Sequence, residues 1–144
     1  MLEEKSAGLV IFRMDGGNPS YLLLHYGWGH WGFSKGNIET GETEKEAATR
    51  EAKEETDLNS FTFFEDFREK IEYFYKRKGK RIHKEVIYFL VETEEKEVKV
   101  SYEHKGYKWL KLEEASNLLS FNNTKEILKR VNEAIEKVAY LNHD

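Results

Sequence analysis

The sequence of 144 residues contains no cysteine and one proline, Pro19. Without cysteine there is no disulfide scaffold and no thiol nucleophile. No apolar run approaches the length of a membrane span, and the opening MLEEKSAGLV lacks the pattern of a signal peptide. Positive charge is not in excess. Lys and Arg number 23 against 27 Asp and Glu, and a net charge of −4 gives no global attraction to nucleic acid or to an anionic membrane. The five histidines form no cluster with zinc-site spacing. These absences leave the expectation of a soluble, cytoplasmic protein. A single domain over 1–144 is expected, long enough to build a core.

Glycine is also sparse, yet five of the ten glycines fall between Gly27 and Gly41, interleaved with Trp28, Trp31 and Phe33. Such loops let backbone N–H groups come close to phosphate. Directly after this loop, Thr43 with Glu46 three residues on forms a capping box, so a helix should begin there. The run Glu44 to Thr56 has no Gly or Pro and is built from good helix formers. At 100° per residue, Glu54 and Glu55 fall within about 60° of Glu51. Ala47, Ala48 and Leu58 share that sector, whereas Lys45, Glu46, Thr49, Lys53 and Thr56 fall opposite. Three carboxylates are thus expected on the inward face, where they repel one another and lose hydration. A hard divalent cation with oxygen ligands would resolve that conflict. Arg50 lies one turn from Glu54 and can pair with it.

The remainder reads as strands and two further helices. Ser6 to Arg13 and Tyr21 to His25 are expected strands, joined as a hairpin through a turn at 15–20. Phe61 to Tyr75 reads as one long aromatic strand, and Glu85 to Glu92 returns after a turn at Lys78-Gly79. The basic run 76–84 is either a solvated hairpin tip or a lip that attracts a polyanion. Lys105 to Leu112 alternates as a half-buried strand, and Leu112 to Leu119 reads as a short helix. Asn123, with Glu126 at the capping-box position, should start the last helix. Its stripe of Ile127, Val131, Ala134, Ile135 and Val138 should pack on the sheet. The expected class is α+β, a mixed sheet between helical layers.

Gly36, Glu42, Arg50, Glu51, Glu54 and Glu55 match the Nudix box, with Ala52 and Leu58 at its apolar positions. Asp57 stands where that family has a glycine that ends the helix. The chain therefore resembles the Nudix hydrolases, which implies an α/β/α sandwich with a mixed β-sheet. HWGFSKGNIETGE at 30–42 is similar to the corresponding region of asymmetrical diadenosine tetraphosphate hydrolases, with Ser34 in place of a proline. The likeness continues through SAGLVIFR, VIYFLVE and YEHKGYKWLKLEEA.

Cleaving a phosphoanhydride needs an in-line water, charge neutralisation and a leaving phosphate. The resemblance implies that Glu51, Glu54 and Glu55 divide cation binding and general-base duty, with Glu54 our choice of base. It implies Arg50 as the orienting cation, Glu42 as support for the loop, and the Lys35 carbonyl and Glu103 as further ligands. His30, Lys35 and Lys84 would contact phosphates, and Tyr73 or Tyr75 with Tyr107 would stack on adenine. The implied cofactor is Mg²⁺, with Mn²⁺ as a substitute. The implied substrate is a dinucleoside polyphosphate, split into ATP and AMP, and no obligate protein partner is called for. Two other readings stay open: a nucleoside triphosphate or RNA 5′-triphosphate pyrophosphohydrolase, and a nucleotide- or RNA-binding module on an inactive scaffold.

Overall fold

Strands buried on both faces read as nearly unbroken apolar runs. The two longest such runs form the centre of the sheet in the computed structural model, which describes residues 1–141. β1 (Leu2–Asp15) and β7 (Lys80–Glu92) pair in parallel from Leu2↔Ile82 to Phe12↔Glu92. Every other strand pairing among the described residues is antiparallel, so the eight-stranded sheet is mixed, as expected.

β2 (Asn18–Tyr26) folds back on β1 through Gly16 and Gly17, both with positive φ of 62° and 85°. A two-residue turn of this kind needs left-handed backbone, which glycine adopts without strain. The turn is narrower than the expected 15–20, because Asn18, Pro19 and Ser20 already belong to the strand. β2 then leaves β1 and pairs with β3 (Trp31–Gly32) and β8 (His104–Leu110). The first half of β1 takes β4 (Ser34–Asn37) instead, from Ser6↔Asn37 to Leu9↔Ser34. β4 is the strand that will carry the site.

The expected strand 61–75 is broken in two. β5 (Thr62–Phe63) pairs with the end of β7, and β6 (Glu69–Arg77) begins only after a turn closed by Phe67 N–H to Phe64 O. The turn lets Phe67 bury and Phe64 meet Phe12 edge to face. An aromatic run cannot send all its rings to one core from a straight strand, because alternate side chains face opposite ways.

α1 (Glu44–Thr56) carries both halves of the capping box and lies on one face over Ala7, Leu9 and Ile11. α2 (Leu112–Leu118) and α3 (Asn122–Leu141) cover the other face, packing on Val10, Phe12 and Tyr88. The result is the expected α/β/α sandwich. α3 starts two residues earlier than a cap at Asn123 would give, so Asn123 sits in the first turn rather than at the cap, and Lys125 N–H reaches Phe121 O. Its buried stripe is Ile127, Leu128, Val131 and Ile135, while Val138 remains 40% exposed. No helix among the described residues is long and apolar enough to cross a membrane.

Asp57 ends α1 in left-handed backbone, φ 61° and ψ 14°, with its N–H on Lys53 O. That conformation is unfavourable for an L side chain and natural for glycine. Asp57→Gly is expected to stabilise the fold by up to about 1 kcal/mol. A denaturation midpoint that rises at unchanged slope would show this, and a lowered midpoint would contradict it.

Candidate active site

Ala47, Ala48 and Ala52 are fully buried beneath α1. Their small size brings the helix close to the sheet, so residues on this face point at β4. At Gly36 a Cβ would fall 2.0 Å from the Glu51 carboxyl carbon, so the absence of a side chain there makes room for Glu51. Glu55 is 4% exposed. Its Oε1 accepts the Ser34 hydroxyl at 2.6 Å and the Lys35 backbone N–H at 3.1 Å. The inward placement is therefore graded. Glu55 is buried, the Glu51 side chain is 19% exposed and that of Glu54 is 60% exposed. Glu51 and Glu55 turn in against β4, and Glu54 borders the same cleft from its open side.

Arg50 ties the cluster together. It donates to Glu42 at 2.7 and 3.0 Å, to Glu51 at 2.9 Å, to Glu54 at 3.3 Å and to the Asn37 carbonyl at 3.0 Å. Glu42 also accepts the Glu39 N–H, at 2.9 Å, which fixes the loop before α1. One guanidinium thereby sets the positions of two site carboxylates and the end of β4.

The cleft beside β4 encloses about 630 Å³ and is bordered by Glu51, Glu54, Glu55, Glu103, Lys35 and Lys84. Burial pushes Glu55 from its ordinary 4.5 up to about 8, the negative Glu51 and Glu103 adding to the effect against the Ser34 and Lys35 hydrogen bonds. Glu51 is also raised, by burial first, against the pull of Arg50. Lys84 is almost buried and donates to Asn37 Oδ1 at 3.2 Å, with Glu4 at 3.5 Å. Burial lowers the pKa of both Lys84 and Lys35.

Lys35 also lines a second, apolar pocket of about 180 Å³, together with Tyr26, His30, Phe33, Tyr73 and Phe121. Its ammonium donates to the Tyr73 hydroxyl at 3.2 Å. His30 stacks flat on Tyr26, with centroids 4.5 Å apart and planes at 9°. The structure thus gathers Glu51, Glu54, Glu55, Glu103, Lys35 and Lys84 at the cleft, and His30 and Tyr73 at the adjoining pocket. Tyr75 is not in the pocket, since its hydroxyl bonds Glu4. Tyr107, on β8, lines neither cavity. Ser34, Tyr26 and Phe121 were not singled out as site residues from the sequence. Ser34 alone carried a local signal, its place just before Lys35-Gly36.

The basic run 76–84 is not a single lip. Its turn is Lys78-Gly79, Arg77 pairs with Glu4, and only Lys84 reaches the cleft. Among the described residues, the carboxylates and imidazole whose ligand atoms lie within 4.8 Å of one another are elsewhere, Glu72, His83 and Glu85 on β6 and β7. There both ring nitrogens of His83 face carboxylates already, Glu3 and Glu72.

The cleft fits a hard divalent cation. Its donors are carboxylate oxygens, and burial raises the pKa of two of them, Glu55 and Glu51, a cost of charge that a bound cation would offset. A carboxyl with a raised native pKa binds its proton more tightly in the folded state. Its favourable contribution is complete below 4.5 and is lost as pH climbs through about 8. With divalent cations removed, the melting temperature of the protein relative to that of Glu55→Gln is therefore expected to fall across this window. Added divalent cation should restore the parent protein at pH 8 and raise the variant by less. A constant difference between the two proteins would exclude a strained, buried Glu55 charge.

A strand–helix unit that holds a glycine, a glutamate, an arginine and three further glutamates in this order defines a Nudix domain. Residues 3–131 match the model of the NUDIX domain family, and the chain belongs to that family. Its members generally work with divalent metal ions. The bis(5′-nucleosyl)-tetraphosphatase [asymmetrical] of Mus musculus is 37% identical over 137 residues, 87% of this chain and 90% of that protein. The protein of the same description from Caenorhabditis elegans is 37% identical over 131 residues, 88% of this chain and 92% of that one. Among solved structures, a C. elegans Ap4A hydrolase binary complex superposes with a TM-score of 0.83 at 34% identity, covering 93% of this chain and 98% of that one.

Proposed function

We propose that this Nudix enzyme splits diadenosine tetraphosphate asymmetrically into ATP and AMP. The observation that carries the reading is the junction at Lys35. One residue borders both an acidic cleft suited to a polyphosphate and its cations, and an aromatic pocket suited to a nucleoside. The likeness to asymmetrical tetraphosphatases along nearly the whole of both chains supports it.

Glu51, Glu54, Glu55 and Glu103, with the Lys35 carbonyl, would hold Mg²⁺, or Mn²⁺ in its place. Held there, such an ion would supply charge neutralisation at the phosphoryl oxygens and make the attacking water more acidic. Glu54, open to the cleft and steadied by Arg50, takes the proton from the attacking water. Lys35 and Lys84 offset the charge of the phosphate chain. His30 and Tyr73, with Tyr26, hold one adenosine, so stacking rests on these residues rather than on Tyr75 or Tyr107.

The exposed Lys76, Lys78 and Lys80 at the far end of the β6–β7 ribbon favour the second reading, a pyrophosphohydrolase of mononucleotides or RNA 5′ ends. Chromatography of the products decides. ATP with AMP is the expected result, and two ADP would overturn it. Pyrophosphate released from a nucleoside triphosphate or RNA end at comparable efficiency would install the second reading. Tight binding with no product in Mg²⁺ or Mn²⁺ would leave an inactive scaffold.

A further inference from the structure

His104 has no part in the account above, yet its position is unusual. Its side chain is completely enclosed, set edge-on to Tyr26 with centroids 4.6 Å apart. Nδ1 lies 3.1 Å from the Ser101 hydroxyl. Nε2 has no hydrogen-bond partner among the described residues and points at Glu55 Oε2, 3.4 Å away. On Glu55 the demand is complementary. Oε1 already takes two donors, whereas no hydrogen bond among the described residues reaches Oε2.

A neutral imidazole carries its proton on one nitrogen, and a serine hydroxyl can donate or accept. When Glu55 is ionised, as it is with a cation bound, a proton on Nδ1 would leave the Nε2 lone pair facing a carboxylate oxygen in an enclosed site, which is repulsive. With Ser101 donating to Nδ1, the Nε2–H points at Oε2 and every group has a counterpart. The separation of 3.4 Å exceeds an ordinary N–H···O bond. An ionised Glu55 draws the donor in, because charge-assisted bonds are shorter. The backbone holds this geometry, with Ser101 N–H on Glu55 O at 3.2 Å and His104 N–H on Ser101 O at 3.1 Å.

We propose that His104 is a positioning residue whose Nε2–H orients the free oxygen of Glu55 toward the cation, with Ser101 setting the tautomer. The inference rests on the reading of the cleft as the cation site and is independent of which anhydride is cleaved. Metal sites use such outer partners to aim their ligands, and losing one typically lowers metal affinity about 10–100-fold.

The test is a Mn²⁺ titration of nucleotide-free protein, read by calorimetry. His104→Phe keeps a ring but no donor, and should weaken Mn²⁺ binding about 10–100-fold. His104→Gln restores an N–H donor and should bind within a few-fold of the parent. Long-range ¹⁵N spectra of the Mg²⁺-loaded parent, in which Glu55 is ionised, should place the ring proton on Nε2, a readout that does not depend on either variant folding. Equal binding by His104→Phe and the parent, equal weakening in both variants, or a proton on Nδ1 would each overturn the proposal. A parent protein that binds no Mn²⁺ would instead overturn the cleft reading itself.

Discussion

Glu54→Gln is expected to lower kcat by about 10²–10⁴-fold, the usual share of a positioned general base. The fold should be unaffected, since this side chain is 60% exposed and its partner among the described residues is Arg50 at 3.3 Å, a bond that an amide oxygen can still accept. Nucleotide binding should also persist, because Lys35, Lys84 and the aromatic pocket are untouched. The case for Glu54 over its neighbours is one of access. Glu55 Oε1 is occupied by Ser34 and Lys35, and Glu51 is held by Arg50 against β4. Glu54 is the most exposed carboxylate of the three and borders the open side of the cleft. Single-turnover measurements under saturating Mg²⁺ would isolate the chemical step. A variant that turned over near the parent rate would transfer the role of base to Glu51 or Glu103.

The gradation among the three carboxylates could not be read from the helix period. A wheel gives angle and not depth. Glu51, Glu54 and Glu55 share a sector, yet what separates them is the profile of β4, a strand that meets α1 through Gly36 and Ser34. The helix itself was legible because its signals are local: Thr43 and Glu46 cap it, and its alanines mark the buried face. The sandwich was legible for a related reason, since strands buried on both faces announce a central position. The break in 61–75 was hidden, because a dense aromatic run favours strand until the core demands that Phe64 and Phe67 turn inward. His104 carried no local signal at all. Its significance lies in facing a residue 49 positions earlier, and only the closing of the 101–104 turn on the end of α1 creates that encounter. Tyr75 and Tyr107 show the converse. Each has the right residue type, but β6 and β8 direct them to Glu4 and away from the pocket.

Gly36→Ala is expected to damage activity far more than stability. The added methyl would sit 2.0 Å from the Glu51 carboxyl carbon and 2.3 Å from both of its oxygens. No such contact is tolerable, so one of the two must move. Glu51 is the flexible end of the pair, partly exposed and able to swing toward the cleft mouth, whereas Gly36 of β4 is fixed by its pairing with Ala7 of β1. The fold thus escapes at little expense, and a melting temperature close to that of the parent is the expected outcome. The displaced carboxylate drags on Arg50, which also steadies Glu54 and Glu42, so the shift spreads through the charge network. A misplacement of about 1 Å in a catalytic constellation lowers rates on the order of 10²-fold. Cation affinity should fall together with kcat, because Glu51 leaves the donor set. Gly36→Ala with normal cation affinity and turnover would mean that the strand yields instead, and that the glycine before α1 is not what seats Glu51.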